Sequence, residues 1–169
     1  MLEQVVGEGS VLLIATGGYD GGAVLGGFVA YSLQRGGCRG IITDGAIRDV
    51  DEIRSLGIPC FSRTVTPVNG ARRWRMTDFD LPICLPGQGG GTVSVVPGDL
   101  VLADSDGVVV VPAAAARIVI EDAEKLASIE KSIGKALRTG SSRQDSFQRN
   151  PRFDHIRSVT TPDSPNTDE

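Results

Sequence analysis

The chain has 169 residues, 40% of them hydrophobic and 22% charged, which is ordinary globular usage and excludes wholesale disorder. A formal net charge of −4 argues against a general binder of nucleic acid, because neutralising phosphates requires a basic surface. No apolar run approaches the roughly 20 residues that cross a bilayer, and no basic region leads into a long apolar stretch, so a cytoplasmic protein without a membrane span is expected.

Residues 11–15 form a short apolar run between Gly-Ser and Thr-Gly-Gly, which predicts a buried strand. A glycine-rich loop over 16–22 follows, then a helix over 23–34 with Val24, Phe28, Tyr31 and Leu33 on one face. Gly26 and Gly27 fall inside that helix, where each costs about 1 kcal/mol relative to Ala. Such a cost calls for a reason, and close approach of a ligand or another backbone is the usual one. A second strand is predicted over 40–43, a turn at Asp44-Gly45, and a helix from 46 to 56 stopped by Gly57 and Pro59.

Residues 60–62 read as a strand, followed by a polar loop to Arg73 and strand pieces through Leu85. The run 87–91 is a flexible glycine loop. Strands are predicted over 93–96, 100–103 and 107–111, separated by Pro97-Gly98-Asp99 and Asp104-Ser105-Asp106-Gly107, both good turn chemistry. A long helix over 113–137 closes the domain, and residues 141–169 are a polar tail with no expected ordered contribution. The order of elements specifies an α/β domain over 1–140 with mixed sheets and flanking helices.

Several motifs carry chemistry only in part. Asp104-x-Asp106-Gly107 opens like a calcium loop but lacks the later ligands, so a hairpin turn is expected. The glycine clusters at 17–27 and 87–91 lack a nucleotide fingerprint, although amides of the first could line a small anion. Arg72-Arg73-Trp74-Arg75 could stack on a nucleic acid, or could be a solvated loop. Cys38, Cys60 and Cys84 offer no Cys-x-x-Cys pair and read as small buried thiols, and the single histidine, His155, sits in the polar tail. Nucleophilic catalysis by a Ser-His or Cys-His pair is thereby nearly excluded.

The richest constellation runs from Asp44 to Glu52, at the end of a strand where α/β proteins commonly bind ligands. Asp49 and Glu52 are three apart and Arg48 and Glu52 four apart, neighbours on a helix. One arginine and two carboxylates so placed can hold a divalent cation and an anionic substrate together, or can be an ordinary charged first turn with an ion pair.

The string from Arg35 to Asp49, RGGCRGIITDGAIRD, resembles the RraA-like family, as do the stretches from Gly57 to Arg63 and from Pro97 to Pro112. That family includes class II aldolases acting on 4-hydroxy-4-methyl-2-oxoglutarate and 4-carboxy-4-hydroxy-2-oxoadipate, and protein regulators of ribonuclease E. The resemblance implies a swivelling β/β/α domain assembled as trimers or hexamers. It further implies a lyase that cleaves a C–C bond beside a 2-oxo acid and releases pyruvate, with oxaloacetate decarboxylation as related chemistry. Its cofactor would be a divalent metal, Mg²⁺ in most relatives, with Mn²⁺ or Co²⁺ as substitutes.

By that resemblance Arg48 binds the 2-oxo acid with backbone groups of Gly26, Gly27, Phe28 and Val29, and Asp49 faces the metal. Many relatives place an Asp where this chain has Gly27, and a second pattern has Gly there and an acid two residues beyond Arg-Asp, which Glu52 fits. Glu130 of a neighbouring subunit is the implied further metal ligand. The family's leading helical segment is missing, so the sequence reads as a fragment or as a domain with a shortened edge. A non-catalytic regulator is the alternative function.

Overall fold

The computed structural model describes residues 2–159, which divide into two compact units, one reaching to Pro97 and one starting at Gly98. The division falls at the Pro97-Gly98 turn, inside the span that the sequence reads as one domain. Mixed sheets with helices make up the chain, the α/β class expected.

The first unit is built on four parallel strands, β1 (Val11–Ile14), β2 (Ala23–Leu25), β3 (Gly40–Ile47) and β4 (Cys60–Val65). β3 is central. β4 lies along one edge, while β1 pairs with residues 40–43 and β2 with Ala46 and Ile47 along the other. Parallel neighbours need crossover connections, and helices α1 (Gly27–Arg35) and α2 (Val50–Leu56) supply two of them. Leu33 of α1 and Ile41 of β3 are wholly buried, packed with Val24, Leu25, Ile47, Ile53 and Ile58. Each such side chain contributes about 1.5–3 kcal/mol by leaving water.

Three predicted elements are corrected. The helix expected from residue 23 starts at Gly27, because Ala23–Leu25 is a buried strand against the end of β3 and Gly26 is extended (φ −140°). The turn expected at Asp44-Gly45 lies inside β3, whose residues are all buried. Asp44 tolerates that burial because its carboxylate accepts three hydrogen bonds, from Thr16 N (2.6 Å), Thr16 Oγ1 (2.8 Å) and Gly18 N (2.8 Å). The helix expected from residue 46 is thereby delayed to Val50.

An antiparallel pair, β5 (Ile83–Pro86) and β6 (Thr92–Val95), completes this unit. Trp74, the aromatic of the Arg72–Arg75 run, packs against the core and donates its indole N–H to Ala23 O at 3.0 Å. It is a structural anchor rather than a free platform.

The second unit contains the hairpin β7 (Leu100–Asp104) and β8 (Gly107–Val111), the long helix α3 (Ala116–Arg138) and a short helix α4 (Arg143–Arg149). At the hairpin tip Asp104 accepts the Asp106 N–H at 2.8 Å, the turn chemistry expected there in place of a calcium loop. The polar stretch after Gly140, expected to lack structure, is ordered through residue 159. Ser142 caps α4 by accepting the Asp145 N–H at 3.0 Å. Arg157 then returns to α3 and donates to Asp122, Glu121 and Ile118 O. Polar groups pay for their own order there through specific bonds, which hydropathy does not register. The remainder of the tail, 160–169, lies outside the described residues. Among the described residues no helix is long and apolar enough to cross a membrane.

Candidate active site

Arg48 and Asp49 fill the two positions between the end of β3 and the start of α2, at the C-terminal edge of the parallel sheet. Asp49 adopts the left-handed conformation (φ 58°, ψ 42°), a sparsely populated region that Asp tolerates better than most residues. Its side chain does not cap α2. Instead Asp49 Oδ2 accepts the N–H of Gly27, the first residue of α1, at 3.2 Å. The neighbouring Arg48 is fixed to β2 by its own N–H, which donates to Leu25 O at 3.1 Å. Arg48 Nη1 lies 3.3 Å from both carboxylate oxygens of Asp49. The two side chains are 35% and 31% exposed, so the pair is held by the fold yet open to a small ligand.

Gly26 and Gly27 are explained by this packing. A Cβ on Gly26 would stand 2.5 Å from Asp49 Oδ2 and 3.0 Å from Arg48 Cγ. A Cβ on Gly27 would overlap the carboxylate of Glu52 and approach Glu52 Cγ to 2.8 Å. Glu52 rises from the first turn of α2 and lays its acid group on the backbone where a side chain at position 27 would otherwise project. A side chain at either position would have to displace these charged side chains from where they rest.

The fold thus brings together Arg48, Asp49, Glu52, Gly26 and Gly27. Phe28 and Val29 are adjacent in sequence but differ: the Phe28 side chain is 82% exposed, whereas Val29 packs against the core. Glu130 lies on α3 of the second unit, with Oε1 3.9 Å from Arg152 Nη1. Among the described residues no group of three or more metal-ligating side chains occurs. Asp49 and Glu52 therefore stand as a pair of carboxylates with one arginine, a formal charge of −1.

One residue at this edge was not assigned a role from sequence. Asp44, through its bonds to Thr16 and Gly18, fixes the loop that leads from β1 to β2 and so to Gly26. A charged residue inside an apolar strand, downstream of a Thr-Gly-Gly loop, was the available signal. The cysteines divide by burial: Cys38 is buried, Cys60 half-buried and Cys84 exposed, the last contrary to the expectation of three buried thiols. Burial, with Cys38 nearby, pushes the Cys60 thiol up to about 11, which marks it as unreactive.

Comparison with known proteins places this site in context. The family description RraA-like (Aldolase/RraA) matches residues 1–110. A 4-hydroxy-4-methyl-2-oxoglutarate aldolase of Thermus thermophilus is 34% identical over 106 residues, covering 63% of this chain and 61% of that protein. The crystal structure of an uncharacterized protein from Pseudomonas syringae pv. tomato is similar with a TM-score of 0.77 and 28% identity, over 83% of this chain and 68% of that one. Streptomyces coelicolor RraAS2, described as an unusual member of the RNase ES inhibitor RraA protein family, is similar with a TM-score of 0.65 and 33% identity, over 76% and 63% of the two chains. The chain spans about three fifths of the length of the curated relatives it matches, 62%, 59% and 61% for three of them.

Proposed function

The chain belongs to the RraA-like family, and from that premise we propose that it contributes the active site of a lyase that cleaves a C–C bond beside a 2-oxo acid and releases pyruvate. The observation that carries this reading is the Arg48–Asp49 pair, seated on the start of α1 with Glu52 beside it. The aldolase name of the Thermus relative agrees with it.

The donor set fits a divalent cation. Two carboxylates and one guanidinium leave a net charge of −1, and Mg²⁺ is commonly held by one or two carboxylates while keeping several waters. Asp49 and Glu52 would hold it, directly or through those waters, with Mn²⁺ or Co²⁺ as substitutes and Glu130 of a second copy as a further donor. When bound, the cation supplies Lewis-acid stabilisation of negative charge on the oxo acid.

The chain's own residues do the rest. Amides at the start of α1 favour the substrate carboxylate, since a helix N-terminus carries partial positive charge. Arg48 directs fixed positive charge at the keto oxygen, where an oxyanion develops as the C–C bond breaks and its electron pair moves onto the pyruvyl fragment. Asp49 orients that guanidinium and is itself oriented by the Gly27 N–H. Decarboxylation of oxaloacetate passes through the same developing charge, whereas the retro-aldol reaction additionally passes a hydroxyl proton to a base; in both, the enolate then takes a proton from water to give pyruvate.

A coupled assay for pyruvate, with oxaloacetate and 4-hydroxy-4-methyl-2-oxoglutarate as substrates, tests the reading. Release should require Mg²⁺, stop with EDTA, and vanish in Arg48→Ala. Activity that persists in that variant removes Arg48 from the mechanism, and activity indifferent to chelator removes the metal. The likeness to RraAS2 favours a second reading, a regulator that binds a ribonuclease. Complete inactivity on both substrates, with binding to a ribonuclease, would select it.

A further inference from the structure

Strand β2 is three residues long, below the about five or six of an ordinary strand, and it pairs with β3 only at Ala23–Ala46 and Leu25–Ile47. It nevertheless leads directly into the site. Leu25 O accepts the Arg48 N–H, and two residues on the Gly27 N–H holds Asp49 Oδ2. The segment after β4 supplies a second anchor. Thr66 N–H donates to Ile47 O at 2.9 Å, Val68 O accepts the Ala23 N–H at 3.0 Å, and the Trp74 indole donates to Ala23 O at 3.0 Å. This segment therefore bonds the last residue of β3 and both backbone polar groups of the first residue of β2. A glycine makes the indole contact possible: a Cβ on Gly70 would overlap Ala23 O and stand 2.5 Å from Trp74 Nε1, and a strand carbonyl cannot swing aside as a side chain can. Gly70 O in turn accepts the Arg73 N–H at 2.9 Å, closing the turn that precedes Trp74.

Packing against the core is a task that a phenyl ring could share, whereas the N–H belongs to tryptophan, and Trp74 is the chain's single one. What that N–H holds is the placement of a strand with two register pairs. The contacts downstream have little slack. Gly27 N lies 3.2 Å from Asp49 Oδ2 and Arg48 Nη1 lies 3.3 Å from the Asp49 oxygens, both at the long end of hydrogen-bond distances. A small displacement of β2 would open the first contact, and Asp49 would lose what orients it.

We propose that Trp74 is a positioning residue for the Arg48–Asp49 site: through Ala23 O its N–H fixes the junction of β2 and α1, and so the Gly27 amide that holds Asp49. The inference rests on the lyase reading of that site. To test it, the single tryptophan is replaced by benzothienylalanine, a near-isostere with sulfur in place of the N–H. The protein is compared with wild type by residue-resolved amide exchange and by Mg²⁺-dependent pyruvate release from oxaloacetate. The Gly27 and Arg48 amides should exchange about three- to tenfold faster, the range of one neutral hydrogen bond, while those of Ile41–Thr43 at the centre of the sheet stay as in wild type. The kcat should fall by a similar factor. Incorporating 7-azatryptophan, which retains the N–H, should restore both, and Trp74→Phe should behave as the sulfur analogue. Unchanged exchange at Gly27 and Arg48 overturns the proposal. So does an unchanged kcat beside faster exchange, which would leave Trp74 purely structural. A wild-type chain that releases no pyruvate refutes the lyase reading instead, and the exchange comparison then still decides whether Trp74 holds the Gly27 amide in place.

Discussion

Gly27 and Glu52 form the most instructive pair of residues, because a carboxylate from α2 occupies the volume that a side chain at position 27 would claim. Gly27→Ala should therefore displace the Glu52 carboxylate and weaken Mg²⁺ binding measured by titration, with little change in thermal stability. Adding Glu52→Gly to Gly27→Asp should recover part of the lost affinity, since the acid is then returned to the same space from the other side. Failure of the double variant to exceed Glu52→Gly alone would show that the acid is needed on α2 specifically. Thiol chemistry offers an independent check of burial. Cys60 is protonated at neutral pH, with its thiol pushed up to about 11, and Cys84 is exposed. Iodoacetamide mapped by mass spectrometry should modify Cys84 well before Cys60.

At the scale of elements, the C-terminal segment shows how polar residues build order without a core. Ser142 caps α4, so Ser142→Ala should cost about 1 kcal/mol and speed amide exchange at Arg143–Arg149. Arg157 holds the carboxyls of Asp122 and Glu121 below the usual carboxylate range, chiefly through side-chain hydrogen bonds. Carboxylates with depressed folded values stabilise fully above their unfolded values, about pH 4, and lose that contribution as pH falls through the folded ones. The stability difference between wild type and Arg157→Ala should be complete at neutral pH and shrink in acid below that point. A difference that grows on acidification would contradict the assignment of these contacts. The αL bend at Asp49 acts at the same scale, since it turns β3 into α2 and frees the Asp49 carboxylate for Gly27.

At the scale of the whole molecule, several large apolar side chains among the described residues are left in contact with solvent. Phe28, which follows Gly27, is 82% exposed, and Tyr31, one turn along α1, is 48% exposed. On the hairpin of the second unit Leu102 is 67% exposed. Contiguous exposed apolar patches are uncommon on monomers unless they serve a contact, so a patch joining Phe28 and Tyr31 would suit the proposed homo-oligomer, a trimer or hexamer. Sedimentation velocity should report a species larger than a monomer, and Phe28→Glu should shift it toward smaller species. A monomer at all concentrations would remove the basis for a donor from a second copy.

The sequence by itself determined the α/β class, the strand at residues 11–14, the hairpin at Asp104–Gly107 and the long helix α3, because each is written in local periodicity and turn chemistry. The spacing of Arg48, Asp49 and Glu52 reads as one helical turn, but Arg48 and Asp49 precede α2, and it is the left-handed bend at Asp49 and the start of α1 that arrange them. Only the tertiary structure decided that Ala23–Leu25 is a strand, because three apolar residues follow whichever partner they meet, and theirs is the end of β3. The burial of Asp44 required three donors from a loop more than twenty residues away, which local pattern cannot reveal. The same holds for the role of Gly26 and Gly27: their cost is visible in the chain, but the carboxylates that rest on them arrive from another element through packing.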